Sequence, residues 1–236
     1  MRGTTLVKLL DSLRAECGIS LNPAHNPQNR DTQIGTLQRV QETLWGDFAW
    51  PHLRVERAID VQAGQRYYDM PDDLDIDRIE KIEFRDGSAY LPLHWGIEAC
   101  HYAAMDSEIG ARSWPVQRVA ITEGEQLEAW PIPANDFNAT SLDGRIKITG
   151  IRKLRPLVAD SDRADLDDNL LVLYAAAEYL ARNGAKDAQV KQDKANRLYL
   201  KLRGNLMPRR TYRMFGVGEP QQPIRPVVIV HPVSGT

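Results

Sequence analysis

The sequence has few cysteines and no long apolar run. Cys17 and Cys100 are its two cysteines among 236 residues, and isolated cysteines predict a reducing compartment without a disulfide framework. No stretch approaches the roughly eighteen apolar residues of a membrane-spanning helix. The N-terminal segment, with charges at Lys8 and Asp11, lacks the apolar centre of a signal peptide. We therefore expect a soluble globular protein with no membrane partner.

The sequence also lacks the motifs that hold nucleotides, nucleophiles or metals. It contains no GxxxxGKS/T, no GxGxxG after a strand, no GxSxG, no CxxC and no HExxH. The five histidines are scattered. Asp73, Asp75 and Asp77 have the spacing that opens a calcium loop, but Arg78 and Phe84 occupy the places that need glycine and glutamate. We expect no catalytic residue, no cofactor and no metal.

Charge is nearly balanced overall but unevenly distributed. The net charge of −2 gives no global attraction to nucleic acid. Residues 60–83 contain eight acids against three bases, whereas residues 182–213 contain ten bases against two acids. The basic segment ends in Arg209, Arg210 and Arg213, which are candidate contacts to DNA phosphates or to an acidic partner. A solvated helix face is the other interpretation of this charge.

Apolar residues at helical spacing predict two helices in the first fifty residues. The first covers residues 5–17 and should end at Gly18. A loop rich in Asn and Pro follows, and Asp31 is a good N-cap for the second helix. Trp50 precedes a proline, which should stop this helix.

Two further helices are predicted after Pro156. Asp162, Asp165 and Asp167 are all candidates for the N-cap of the first of them. An Asn-Gly step at residue 183 breaks the pattern, and the last helix should cover about residues 186–206.

Between the helix pairs, short apolar runs alternate with turn signals, which is typical of antiparallel strands. An Asp-Gly step at residue 86 predicts a hairpin turn, and a short helix is expected at residues 97–105. The predicted strands cover residues 53–61, 66–68, 79–84, 90–93, 116–121, 126–130 and 145–154.

These elements predict an α+β protein: a four-helix-bundle core with an inserted antiparallel β lobe and an extended C-terminal arm. The core would combine residues 1–51 with 155–206, and residues 52–154 would form the lobe. Trp45 and Trp50 flank the passage from helix to strand, and we expect them to seat the lobe on the bundle.

The last thirty residues, 207–236, contain five prolines and three glycines, which exclude a helix. The segment is nevertheless too apolar for an idle polar tail. Its final apolar run is bounded by prolines and predicts one strand without a neighbour, a hazard unless another chain supplies the sheet edge. The candidate partner-binding residues are Tyr212, Met214, Phe215, Ile224, Val227, Val228, Ile229 and Val230.

Four stretches of the chain resemble head–tail adaptor proteins of tailed bacteriophages, and the resemblance extends from about residue 4 to 206. The stretches are TLVKLLDSLRAECGIS, ETLWGDFAWPHLR, DVQAGQRYYDMPDDLDIDRIEKIEF and DNLLVLYAAAEYLARNG. None of them is catalytic.

The resemblance implies a structural protein of the virion neck, made in the host bacterial cytoplasm. Such adaptors form a dodecameric ring of copies below the portal protein and bind it through a C-terminal arm. They extend the channel for the passing genomic DNA, which they contact non-specifically, and provide a platform for tail or nozzle proteins. In this sequence, residues 207–236 match the position of the portal-binding arm.

Three other functions remain open from the sequence. Another neck component, such as a stopper or tail-completion protein, would bind the adaptor and not the portal. A DNA-binding module would use the basic residues 182–213. A small enzyme on an α+β core would need a catalytic constellation that the sequence does not display.

Overall fold

The structure of the chain is a computed structural model, which describes residues 2–22, 27–106 and 109–206. The described part is a mixed α+β fold with five helices and several largely antiparallel sheets. Its helices are α1 (Leu6–Cys17), α2 (Pro27–Asp47), α3 (Ala99–Ala104), α4 (Asp168–Arg182) and α5 (Ala188–Leu206). Within these ranges no helix has both the length and the apolarity that a membrane crossing requires.

The first helix forms as predicted. Leu6, Leu9, Leu10 and Leu13 recur at helical spacing, and each is at most 3% exposed. Gly18 ends the helix in the left-handed conformation, with φ of 68°, and its amide donates to the carbonyl oxygen of Ala15 at 3.3 Å. Glycine adopts this conformation without a Cβ clash, so the predicted end of the helix is confirmed.

The second helix begins four residues earlier than predicted, at Pro27 and not at Asp31. Proline suits the first turn because its missing N–H has no partner there in any helix. At the other end the helix stops at Asp47, before the Trp50-Pro51 step, as predicted. A short 3₁₀ turn follows at Pro51–Leu53. The indole of Trp50 donates to the carbonyl oxygen of Leu44 at 2.8 Å and so completes the end of α2.

The helices α1, α2 and α5 all pack against α4. The N-cap of α4 is Asp167, whose carboxylate accepts from the amide of Leu170 at 3.1 Å. Leu170, Leu171 and Ala176 are fully buried in a shared apolar core. We refer to these four helices and this core as the helical core, and their arrangement as a four-helix bundle stays a prediction.

The described residues between α2 and α4 form ten strands. They are β1 (Arg54–Asp60), β2 (Tyr67–Asp69), β3 (Leu74–Asp86), β4 (Ala89–Pro92), β5 (His94–Trp95), β6 (Arg112–Ser113), β7 (Arg118–Ile121), β8 (Gln126–Trp130), β9 (Ile132–Pro133) and β10 (Arg145–Arg152). All seven predicted strands are present, and the predicted short helix is α3. The strand predicted at residues 79–84 is much longer in the structure, where β3 spans Leu74–Asp86.

Two four-stranded sheets organise this region, which we call the β lobe. One is antiparallel in the order β1-β10-β3-β4, and its β3–β4 hairpin turns at the predicted Asp-Gly step, Asp86-Gly87. The other has the order β2-β8-β7-β5. The predicted antiparallel lobe is confirmed for most strand pairs, but β5 pairs with β7 in parallel and so does β6 with β9. Buried residues of both four-stranded sheets, including Phe84, Leu127 and Ile148, form the second apolar core.

Contacts around Trp45 join the β lobe to the helical core. The guanidinium carbon of Arg78, on β3, lies 4.1 Å from the centre of the Trp45 ring. The same guanidinium donates to the backbone carbonyls of Trp45 and Gly46 at the end of α2. The Trp45 indole donates to the carbonyl oxygen of Arg152 at 3.3 Å. The expected role of Trp45 at the junction is confirmed, whereas Trp50 packs in the helical core.

Candidate functional site

The predicted partner-binding residues lie outside the residues that the structure describes. This applies to the whole of the predicted arm, 207–236, including its last strand. The candidate channel or acidic-partner contacts Arg209, Arg210 and Arg213 lie there as well, so their roles stay predictions. The described residues nevertheless present several surfaces on which a function could rest.

The aspartates with calcium-loop spacing do not converge on one point. Asp75 and Asp77 lie on β3, where side chains point alternately to opposite faces, so they share one face but are held in a strand and not in a loop. Asp73 accepts two hydrogen bonds from the Arg57 Nε, at 3.0 and 3.1 Å. Asp75 forms an ion pair with Arg78 at 3.8 Å. The structure uses two of these carboxylates to pair with arginines.

A second group with metal-ligand chemistry lies on α3, where sequence reasoning missed it. Glu98, Cys100 and His101 bring one potential ligand atom each within 4.8 Å of one another. However, the Nδ1 of His101 accepts a hydrogen bond from the backbone amide of Glu98 at 3.0 Å, as part of the helix cap. That nitrogen's lone pair is therefore engaged, and the local geometry is that of a capped short helix.

The carboxylate of Asp165 is fully buried and is held by two arginines. Its oxygens accept from the Arg155 Nη2 at 2.6 Å, from the backbone amide of Arg155 at 2.9 Å, and from Arg152. Burial alone would raise the pKa of Asp165, but these hydrogen bonds outweigh it and hold the pKa below its ordinary value. This residue fastens the end of β10 to the segment before α4, and so its role is structural.

Helix α5 turns an unusual face to solvent. Ala195 is buried against the helical core, and the hydroxyl of Tyr174 on α4 donates to the Asn196 Oδ1 at 2.8 Å. These contacts fix which side of α5 faces outward. Lys194, Arg197 and Lys201 occupy that outward side, all of them exposed.

The spacing of these three cations places them on one stripe, since residues three, four and seven apart share a helix face. None of them forms an ion pair with any residue in the described ranges. Two exposed aliphatic side chains flank the stripe: Val190 is 52% exposed and Leu200 is 64% exposed. We call this surface, Val190 to Lys201, the α5 face.

A cavity of opposite charge lies on the β lobe, between the β2–β3 loop and the β7–β8 turn. Its volume is about 220 Å³. The carboxylates of Asp69, Asp72 and Glu125 line it together with a single ammonium group, that of Lys153. The remaining lining residues are Met70, Pro71, Leu74, Ile76, Gly124 and Gln126. We call this surface the acidic concavity.

A larger opening, of about 390 Å³, lies between α2, α4 and α5. Its walls are apolar at Val40, Leu44 and Ala177 and polar at Asp47 and Glu178. It is an open groove on the helical core, and its volume lies within the range of ligand pockets. The described surfaces are thus suited to contacts with macromolecules through charge and apolar area.

Comparison with known proteins identifies the group to which the chain belongs. No curated protein matches it. The family model described as "SU10 adaptor protein" matches residues 4–221. This match covers both helix pairs, the whole β lobe and the first part of the C-terminal segment. The chain therefore belongs to the SU10 adaptor protein family, and is a tailed-phage adaptor.

Proposed function

We propose that the protein is a structural head–tail adaptor of the virion neck. In this proposal a dodecameric ring of copies sits below the portal protein and extends the channel through which the genomic DNA passes non-specifically. The ring offers the attachment platform for tail or nozzle proteins. The observation on which the proposal depends is the family match over residues 4–221.

The proposal assigns different tasks to different parts of the chain. The helical core would be the four-helix bundle that forms the body of the ring subunit, with residues 52–154 as the lobe. Residues 207–236 would be the arm that binds the portal through the apolar side chains from Tyr212 to Val230. Arg209, Arg210 and Arg213 would contact DNA or an acidic partner surface at the root of the arm. No catalytic step belongs to this function.

A physical argument supports an arm that engages only at assembly. Ordering a flexible segment costs about 1–2 kcal/mol for each fixed backbone residue. Each fully buried Val or Ile side chain returns about 1.5–3 kcal/mol, so apolar residues such as Val227 and Ile229 have to find a buried site. In a ring, each engaged arm raises the effective concentration of the next, so contacts that are weak singly become strong together.

Truncation of the arm tests the proposal. Deletion of residues 216–236 should leave the folding of the described helices and sheets intact, as judged by circular dichroism and thermal unfolding. It should abolish the attachment of the protein to purified portal rings, measured by co-sedimentation and electron microscopy. A full-length variant in which Val227, Val228, Ile229 and Val230 are all replaced by Ser is the matched control for chain length, and it should fail in the same way. Normal attachment by both variants would refute the arm's role.

The same experiment separates an adaptor from a stopper or tail-completion protein. An adaptor binds the portal in the absence of any other neck protein. A stopper remains unbound until the adaptor ring is present. Binding of the wild-type chain to isolated portal would therefore decide between these two functions.

A further inference from the structure

We propose that the α5 face of one copy docks on the acidic concavity of the next copy, and that this contact builds the ring. The inference rests on the proposed function and names the surfaces that join its subunits. It involves only residues of the helical core and the β lobe.

The charges of the two surfaces are complementary. The α5 face presents Lys194, Arg197 and Lys201, none of which has an ion-pair partner among the described residues. On the β lobe, Asp72 and Glu125 are exposed and likewise form no ion pair with the described residues. Every copy of the chain carries both sets of charges, and they nearly cancel in the net charge of −2. The acidic residues of a second copy can therefore pair with the basic residues of the first.

The apolar side chains favour a protein partner over DNA. A phosphate backbone accepts cations but offers no counterpart for exposed aliphatic groups. Val190 and Leu200 are the exposed aliphatic residues of the α5 face. The acidic concavity is lined in part by Met70 and Ile76, and its 220 Å³ is large enough for a leucine side chain. We place Leu200 against these two residues, with Arg197 and Lys201 beside the carboxylates.

The contact joins two different surfaces, and this determines the kind of assembly. When two copies meet through two different surfaces, one copy keeps the first surface free and the other keeps the second. Further copies therefore add until the chain of subunits closes. Two-fold contacts between identical surfaces would stop at a dimer. A heterologous contact between the α5 face and the acidic concavity is therefore consistent with a closed ring.

Charge reversal tests the contact. The first variant combines Lys194→Glu, Arg197→Glu and Lys201→Glu, and the second combines Asp72→Lys with Glu125→Lys. All five side chains are exposed, so both variants should retain the wild-type circular dichroism and thermal midpoint. Each variant alone should need at least about tenfold higher concentration than the wild type to form rings with portal, measured by mass photometry and negative-stain microscopy.

Mixing the two variants gives the most demanding test. In an alternating ring, the reversed α5 face of one variant meets the reversed concavity of the other, and the two unchanged surfaces meet in turn. The mixture should therefore restore rings that neither variant forms alone. The control variant changes three exposed cations outside the α5 face, by Arg2→Glu, Lys8→Glu and Arg163→Glu. It has the same change of net charge as the first variant, and it should form rings normally.

The outcomes distinguish the inference from the function. If the wild type forms rings on the portal and the reversed variants do so equally well, the inference is wrong and the proposed function stands. If the first variant forms rings but loses DNA binding, the α5 face contacts DNA and the inference is again wrong. If the wild type neither binds portal nor forms rings, the proposed function fails and the inference fails with it.

Discussion

The helical core and the β lobe are stabilised in different ways. The core depends on aliphatic side chains that bury one another, with Leu6, Leu37 and Leu170 at 0% exposure. The lobe also has an apolar core, but the exposed face of its antiparallel sheet is covered by ion pairs. Glu56 with Lys147 and Asp60 with Arg145 are two of them, at 2.9 and 2.8 Å. An antiparallel sheet can leave one face in water, whereas the central helix α4 has little free surface.

This difference between the two regions indicates where the chain tolerates substitution. Substitutions in the helical core should remove buried contacts that nothing else replaces. Substitutions on the solvent-exposed face of the lobe should change the free energy of unfolding little, because the side chains there contact water before and after the change. Four substitutions test this ordering, and they are taken in order of decreasing effect.

Leu170→Ala should have the largest effect, because the side chain is fully buried in the middle of the helical core. Loss of its methyl groups and the cavity left behind should lower the free energy of unfolding by about 3–4 kcal/mol. Leu200→Ala, on the exposed α5 face, is the matched control and should change it by less than about 0.5 kcal/mol. Urea denaturation followed by circular dichroism measures both. Similar losses in the two variants would contradict the packing described for α4 and α5.

Asp165→Asn should come second, since it removes the charge that holds Arg152 and Arg155 at the junction. We expect a loss of about 2–3 kcal/mol, the usual contribution of hydrogen bonds to a buried charged group. The exposed Asp160, paired with Arg30 on the surface, provides the control: Asp160→Asn should leave the urea midpoint unchanged.

The same variant should alter the dependence of stability on pH. The folded-state pKa of Asp165 lies below its ordinary value of about 3.8, so the carboxylate stabilises the fold above that pH. This stabilisation is lost as the pH falls through the folded-state pKa. The difference between wild type and Asp165→Asn should therefore be full at pH 6 and shrink below about pH 4. A difference that is constant down to pH 2 would show that the charge is not responsible.

Gly150→Ala should have a moderate effect in the β lobe. A Cβ at this position of β10 would lie 2.9 Å from the carbonyl oxygen of Arg78 and 3.2 Å from the Cα of Ile79. The pairing of β10 with β3 shifts register at this residue, and the two atoms named belong to the backbone of β3, which yields less easily than the end of a flexible side chain. We expect the free energy of unfolding, measured by urea denaturation, to fall by about 1–2 kcal/mol.

Gly87→Ala would not serve as a control for this substitution, because the φ of 61° at Gly87 adds backbone strain. Gly35→Ala, with open space around its Cβ, should be neutral or slightly stabilising.

Lys147→Met should have the smallest effect. The ion pair with Glu56 lies on the wet face of the lobe, where salt and water screen it. The hydrogen bond to Lys147 lowers the pKa of Glu56, yet we expect no measurable change in the urea midpoint. A loss as large as that of Gly150→Ala would mean that the ion pairs of the lobe support its fold, and the contrast with the helical core would disappear.

Most helices and strands were predictable from local patterns, because the type and the ends of such an element depend largely on residues close together in the sequence. The leucine spacing of α1 and the glycine that follows it determine both ends of the helix. The choice among three aspartates before α4 was not predictable, because they are chemically identical. Asp167 became the cap, Asp162 instead accepts from the amides of Val158 and Ala159, and Asp165 pairs with arginines. Only the three-dimensional positions of their partners distinguish them.

The candidate surfaces were less accessible to sequence reasoning. An excess of bases in residues 182–213 was evident, but which of them face outward depends on how α5 packs on α4. The acidic concavity joins Asp72 to Glu125, more than fifty residues apart in the sequence, and no local pattern reveals that proximity. The start of β3 was missed because Asp75 and Asp77 resemble turn residues, while pairing with β10, at Leu74 and at Ile79, keeps this part of the chain in a strand.

Arg78 has a consequence for how this protein can evolve. The last carbonyls of α2 need hydrogen-bond donors, and two of them receive these from an arginine that belongs to a strand of the β lobe. A descendant that deleted the lobe would leave these carbonyls without their donor and Trp45 without its cation. We therefore expect the sheet region and the helices on either side of it to be inherited together, and recombination between related phage genes to be tolerated outside residues 45–78 more readily than within them.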